Sequence, residues 1–167
     1  PSVQVSAGTV IGKIGAPTTL SSLAERMMYL DNRATPTIRI EKYANAAIAY
    51  LPGTQTGSFG WTANPMDMKT NLQEMGGRVS NVEVGLERAL TAAGVKTTDR
   101  VMLVGHSQGG LVAMSAGERS KTGKFPYFIE KILTFGSPVG AKYPELLPEV
   151  LSVENKVDLV PRLDLKA

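Results

Sequence analysis

The residues best equipped for chemistry stand together in one pentad, Gly105-His106-Ser107-Gln108-Gly109. An apolar run, Val101-Met102-Leu103-Val104, leads into it, and Leu111, Val112 and Met114 follow Gly109-Gly110 at helical spacing. A G-x-S-x-G sequence between strand and helix signals predicts a sharp turn that lifts the serine hydroxyl clear of the backbone, where it can act as a nucleophile. Gly105 and Gly109 fit such a turn because a side chain at either would clash where strand and helix approach. The backbone N–H of Gln108 would then lie at a helix start, where unpaired donors and the positive end of the dipole favour an oxyanion. The plainer alternative is a tight βα turn in which Ser107 merely caps the helix.

A serine hydroxyl needs a base to take its proton and a carboxylate to hold that base. In a strand–turn–helix arrangement of this kind the acid comes later in the chain, in a loop after a further strand. Asp158 meets that requirement, following the apolar segment Val150–Val153; Asp164 is an alternative farther from the strand end. Upstream, Pro52-Gly53-Thr54-Gln55 leaves the buried run Ala46–Leu51. Thr54 could give a second oxyanion donor there, unless the stretch is an ordinary surface loop. His106 is the single histidine. A neighbour of the nucleophile in so tight a turn projects away from it, so His106 is expected to support the turn or the oxyanion site rather than act as base.

The elements that must position these groups follow from hydrophobic periodicity. Ser22-Leu23-Ala24-Glu25 reads as a capping box, and Leu23, Met27 and Leu30 share a helical face that Asp31, Asn32 and Pro36 bring to an end. Thr37 to Tyr43 alternates as a half-buried strand, Ala44-Asn45 turns, and Ala46 to Leu51 is apolar enough to be buried on both faces. Met66, Met68, Leu72 and Met75 are read as core filling, with a flap over an acyl pocket as the sharper reading. Val79, Val82, Leu86, Leu90 and Ala93 mark an amphipathic helix closed by Gly94. Strands are expected over 131–136 and 149–154. The alternation of about five strands with about four helices predicts one three-layer α/β domain over 1–167 with a mostly parallel sheet.

Composition narrows the function. Hydrophobic residues make up 43% and charged residues 20% of 167 residues, and the net charge of +3 is dispersed. No basic stripe with interleaved aromatics occurs, so a nucleic-acid partner is unsupported. No apolar run has the length of a membrane span. The absence of cysteine excludes disulfide frameworks and thiolate zinc sites, and one histidine argues against a histidine-rich metal site. Neither metal nor cofactor is expected. The chain starts at Pro1 without a signal-peptide pattern, which leaves compartment and oligomeric state open.

Four segments in order, Gly53-Thr54, Gly105-His106-Ser107-Gln108-Gly109, Thr134-Phe135-Gly136-Ser137-Pro138 and Val157-Asp158-Leu159-Val160-Pro161-Arg162-Leu163, resemble the class 3 lipases, the fungal triacylglycerol-lipase-like branch of the α/β-hydrolases. The resemblance runs from about Ala46 to Leu163 and leaves residues 1–35 unassigned. It implies a cofactor-free hydrolase of carboxylic esters, often of lipids, and so a small-molecule or lipid ester as substrate. It further implies Ser107 as nucleophile, Asp158 as acid and Thr54 as part of the oxyanion hole. The family's catalytic histidine lies downstream of the acid, and no histidine follows His106. Either the domain is C-terminally incomplete, as the intact motifs favour, or it is a catalytically silent binding or scaffold module. An acyltransferase using the same turn is a weaker option. Without the base, these residues alone are expected to hydrolyse esters poorly, because triad members act as a unit.

Overall fold

Ala46-Ala47-Ile48-Ala49-Tyr50-Leu51 carries no charge, and it pairs on both sides within a five-stranded sheet of order β1-β2-β3-β4-β5. The computed structural model describes residues 12, 14–32, 37–53, 79, 81–137 and 148–153. The elements in chain order are α1 (Leu20–Asp31), β1 (Arg39–Lys42), β2 (Ala46–Leu51), a helix α2 over 81–92, β3 (Arg100–His106), α3 (Gln108–Lys121), β4 (Phe128–Phe135) and β5 (Glu149–Val153). β1 pairs antiparallel to β2, from Arg39 opposite Tyr50 to Lys42 opposite Ala47. The turn between them is closed by the Tyr43 N–H donating to the Ala46 carbonyl at 2.8 Å. β2, β3, β4 and β5 run parallel.

Alternation along the strands builds two cores. Ala47, Ala49, Leu51, Val101 and Leu103 face one way and pack with Leu86 and Leu90 of α2 and with Val112, Ala113 and Ala116 of α3. Tyr50, Val104 and Leu133 face the other way, joined by Ile48 and Met102, under Met27 and Leu30 of α1. The result is the expected three-layer α/β arrangement. The site follows from it: β2, β3 and β4 all release their chains at one edge of the sheet, with Leu51 opposite Gly105 and His106 opposite Phe135.

Several boundaries differ from expectation, among them that β1 is only Arg39–Lys42 of the expected 37–43. The cap of α1 is Thr19, not Ser22: the Thr19 Oγ1 accepts from the Ser22 N–H at 3.1 Å, and the helix starts at Leu20. β4 begins at Phe128 rather than Lys131, because the register shifts between Val101 and Met102. That bulge puts Ile129 and Ile132 in the same core, so the strand breaks the period of two that strand recognition relies on. Ala93 falls past the last turn of α2 and is exposed. The methionine segment Met66–Met75 lies outside the described residues.

Candidate active site

β3 ends at His106, and Ser107 follows with φ 52 and ψ −118. It is the one non-glycine residue with positive φ among the described residues. Its N–H donates to the Phe135 carbonyl at 3.0 Å, and its carbonyl accepts from the Gly110 N–H at 3.1 Å. The serine side chain makes no capping hydrogen bond to α3. The capping role weighed above is therefore not the one its hydroxyl plays.

The glycines make room for backbone, each in a different direction. A Cβ on Gly105 would meet the Gly109 carbonyl carbon and oxygen at 2.5 Å, so this glycine lets β3 and α3 cross. A Cβ on Gly109 would strike the Leu51 carbonyl, so the first turn of α3 lies on the chain leaving β2. Gln108 opens α3, in the turn whose N–H groups lack intrahelical acceptors. Its side-chain Nε2 is buried and makes no hydrogen bond among the described residues.

Gly53 brings the chain from β2 against the turn. A Cβ there would lie 3.2 Å from the Ser107 Cβ and 3.4 Å from the His106 Nδ1. The Gly53 N–H donates to Asp31 Oδ1 at 2.8 Å, and the other oxygen of Asp31, Oδ2, stands 2.6 Å from the His106 Nδ1. Three elements thus meet beside Ser107: the end of α1, the exit of β2 and the end of β3. Of the residues singled out from sequence, Gly105, His106, Ser107, Gln108 and Gly109 come together here. Thr54, the residue after Gly53, and Asp158 lie outside the described residues.

Asp31 was legible only as the end of a helix. A signal was present nonetheless. An acid at a helix C-terminus opposes the macrodipole by about 0.3–1 kcal/mol, and α1 has no basic residue in its last turn to offset it.

α1 is held in place by a second polar cluster. Glu41 Oε1 accepts from Arg26 at 2.8 Å, from the Tyr50 hydroxyl at 2.9 Å and from the Tyr43 hydroxyl at 3.1 Å, while Oε2 pairs with Arg39 at 2.9 Å. Strand alternation assigns Glu41 to the polar side of β1, yet it is buried, at 4% exposure. The polar side of β1 faces α1 rather than solvent. Burial, reinforced by the Glu41 carboxylate, pushes the Tyr50 phenol well above its ordinary range. Among the described residues there is no group of three or more His, Cys, Asp or Glu that could hold a metal ion. Nor is any helix among them long and apolar enough to cross a membrane.

One family, described as a PGAP1-like alpha/beta domain, matches residues 71–166, more than half of the 167. The match takes in the Ser107 pentad and Asp158 and excludes α1, β1, β2 and Thr54. It agrees with the hydrolase-type α/β fold and leaves the class 3 lipases as a resemblance carried by motifs. No curated protein and no solved structure matches the chain.

Proposed function

The chain belongs to the PGAP1-like alpha/beta domain family, and from that premise we propose that it is a serine hydrolase of carboxylic esters, lipid esters among them. The observation that carries this reading is the Ser107 backbone, at φ 52 and ψ −118 between a parallel strand and a helix start. A non-glycine residue held there costs about 1–3 kcal/mol. A turn that needed only compactness would use glycine; a serine there serves its hydroxyl.

In this reading the Ser107 Oγ attacks the ester carbonyl carbon, and the carbonyl oxygen becomes an oxyanion held by the Gln108 and Thr54 N–H groups. A base takes the Oγ proton and returns it to the departing alkoxide, leaving an acyl-serine that water then hydrolyses. Asp158 orients the base. His106 is not that base, since its Nδ1 stands 2.6 Å from Asp31 Oδ2 and the residue precedes the nucleophile within the turn. The base is then a histidine that the 167 residues do not supply. The motif resemblance points to lipid esters; acyl length and head group are not specified by it.

The test is labelling of the purified 167-residue chain with a fluorophosphonate, read by intact mass, with Ser107→Ala as control. Slow labelling is expected, about 10⁴-fold or more below that of an intact triad, and Ser107→Ala should abolish it. A chain extended beyond Ala167 to include a further histidine should label rapidly. Rapid labelling of the 167 residues alone would put a base within them and overturn the missing-base assignment. Labelling that survives Ser107→Ala would overturn the nucleophile.

A further inference from the structure

Resting on that reading, we propose that Ser137 is a positioning residue for the nucleophile. Its side chain joins the two groups that hold the Ser107 backbone, the Phe135 carbonyl and the Gly110 amide, and so fixes the strained turn.

Ser137 stands just past the end of β4 and is 2% exposed. Both backbone polar groups of Ser107 are committed nearby: its N–H donates to the Phe135 carbonyl at 3.0 Å, and its carbonyl accepts from the Gly110 N–H at 3.1 Å. Ser137 meets both holders. Its hydroxyl donates to the same Phe135 carbonyl at 3.2 Å, which has a lone pair for each donor. Its Oγ and Cβ fill the space into which a Cβ on Gly110 would project.

A non-glycine residue at φ 52 persists only where its surroundings over-determine it. The end of β4 supplies that rigidity. Gly136 takes φ 53, a conformation that glycine adopts freely, and its N–H donates to the Val153 carbonyl of β5 at 3.0 Å. Thr134, 1% exposed, donates to the Ser152 hydroxyl at 3.1 Å. β4 is thereby pinned to β5 where it ends, and Ser137 carries that fixity across to the first turn of α3. Gly110 is its steric counterpart, because a methyl there would strike Ser137 and push the turn off its seat. This pairing accounts for the second glycine of Gly109-Gly110, which a G-x-S-x-G turn does not itself require. A displacement of about 1 Å at such a site costs about 10²-fold in rate.

The experiment is a steric exchange, read by fluorophosphonate labelling of the 167-residue chain. Gly110→Ala should slow Ser107 labelling by about tenfold or more. The loss should lie in the rate at saturating probe, with the half-saturating concentration unchanged, because both residues are buried beneath the turn. Ser137→Gly empties the seat. Gly110→Ala combined with Ser137→Gly should label within about threefold of Ser137→Gly alone, since residues in contact compensate one another. Ser137→Ala keeps the Cβ and loses only the hydroxyl, so its rate should fall between those of the parent and Ser137→Gly. Exchange of the Ser107 amide, followed by ¹H–¹⁵N NMR, should speed up by about tenfold in Gly110→Ala and recover in the double variant. Gly117→Ala is the control for lost stability. Its methyl would meet Ile132 Cδ1 at 2.6 Å, farther along α3, and it should lower the melting temperature without altering labelling below it.

Parent-rate labelling in a folded Gly110→Ala chain overturns the proposal, as does failure of Ser137→Gly to relieve it. If Gly110→Ala alone does not fold, recovery of a folded, labelling chain by the second substitution supports the pairing, and no recovery overturns it. Ser137→Ala and Ser137→Gly both labelling at the parent's rate overturn the positioning role. Equal slowing in Gly117→Ala would make the effect one of stability and overturn it too. Absence of any Ser107-dependent labelling in the unsubstituted chain sinks the hydrolase reading instead, and exchange of the Ser107 amide then decides the pairing.

Discussion

At the amino end of β3 the polar groups close on themselves. Asp99 Oδ2 accepts from the Lys96 N–H at 2.9 Å and pairs with Lys42 at 3.2 Å, and the Arg100 N–H donates to the Asn45 carbonyl at 3.0 Å. Gly94, which ends α2 on that side, has φ +77, and a Cβ on it would meet nothing within 4 Å. The carboxyl end of the same strand is made differently. Gly105 and Gly109 give up their side chains to crossing backbones, Ser107 takes a strained conformation, and the Asp31 carboxylate reaches in from another layer. The amino end is secured by one local bond and by an ion pair and a backbone bond to the β1–β2 turn, none of which needs a side chain to be given up, whereas the carboxyl end is a meeting of β2, β3, β4 and α1 in which glycines yield to backbone. Ligand sites of open α/β sheets lie at carboxyl ends. Here Ser107 and Gln108 stay partly exposed at that end, beside the glycines that let the backbones cross.

The glycines give the largest test of this contrast. Gly109→Ala drives a methyl into the Leu51 carbonyl and should cost about 3 kcal/mol or more in urea unfolding. Gly94→Ala meets only the strain of its positive φ and should cost about 1 kcal/mol. Equal costs would erase the distinction between the two ends.

The strain at Ser107 gives a smaller effect. Ser107→Gly should be more stable than Ser107→Ala by about 1 kcal/mol, because glycine adopts φ 52 without penalty and alanine does not. Differential scanning calorimetry of the two variants decides it; alanine as stable as glycine would mean that the turn is unstrained.

The smallest effect belongs to the amino end. The Lys96 N–H, with burial opposing it and Lys42 adding to it, holds the Asp99 carboxyl below its usual value of 3.8. The folded state therefore binds fewer protons than the unfolded state just below that pH. Asp99 contributes stability above it, and that contribution is lost as pH falls through the folded value. Urea melts from pH 6 downward should show a shallower acid decline in Asp99→Asn than in the parent chain. Identical slopes would mean that this end is not held by charge.

Local pattern sufficed wherever a structure answers to its own neighbours in the chain. The glycine spacing around Ser107, the charge-free run of β2 and the periodicity of Val79, Val82, Leu86 and Leu90 each state an element directly, because sterics and burial act residue by residue. The β1–β2 hairpin was legible for the same reason. β4 was misjudged at its start because a bulge breaks the period that strand recognition counts. Glu41 is a polar residue of an alternating strand and yet buried, because alternation records which side a residue takes, not what covers that side.

The sequence by itself thus determined that a serine would stand at a sharp turn between a strand and a helix, with a glycine-led loop upstream to approach it. Only the tertiary structure decided what surrounds that serine. Asp31, Gly53 and His106 are brought together by the stacking of α1 on the sheet and by the pairing of β2 with β3. Burial and strand register act between residues far apart in the chain, and no local spacing encodes the meeting of a helix end with two strand ends.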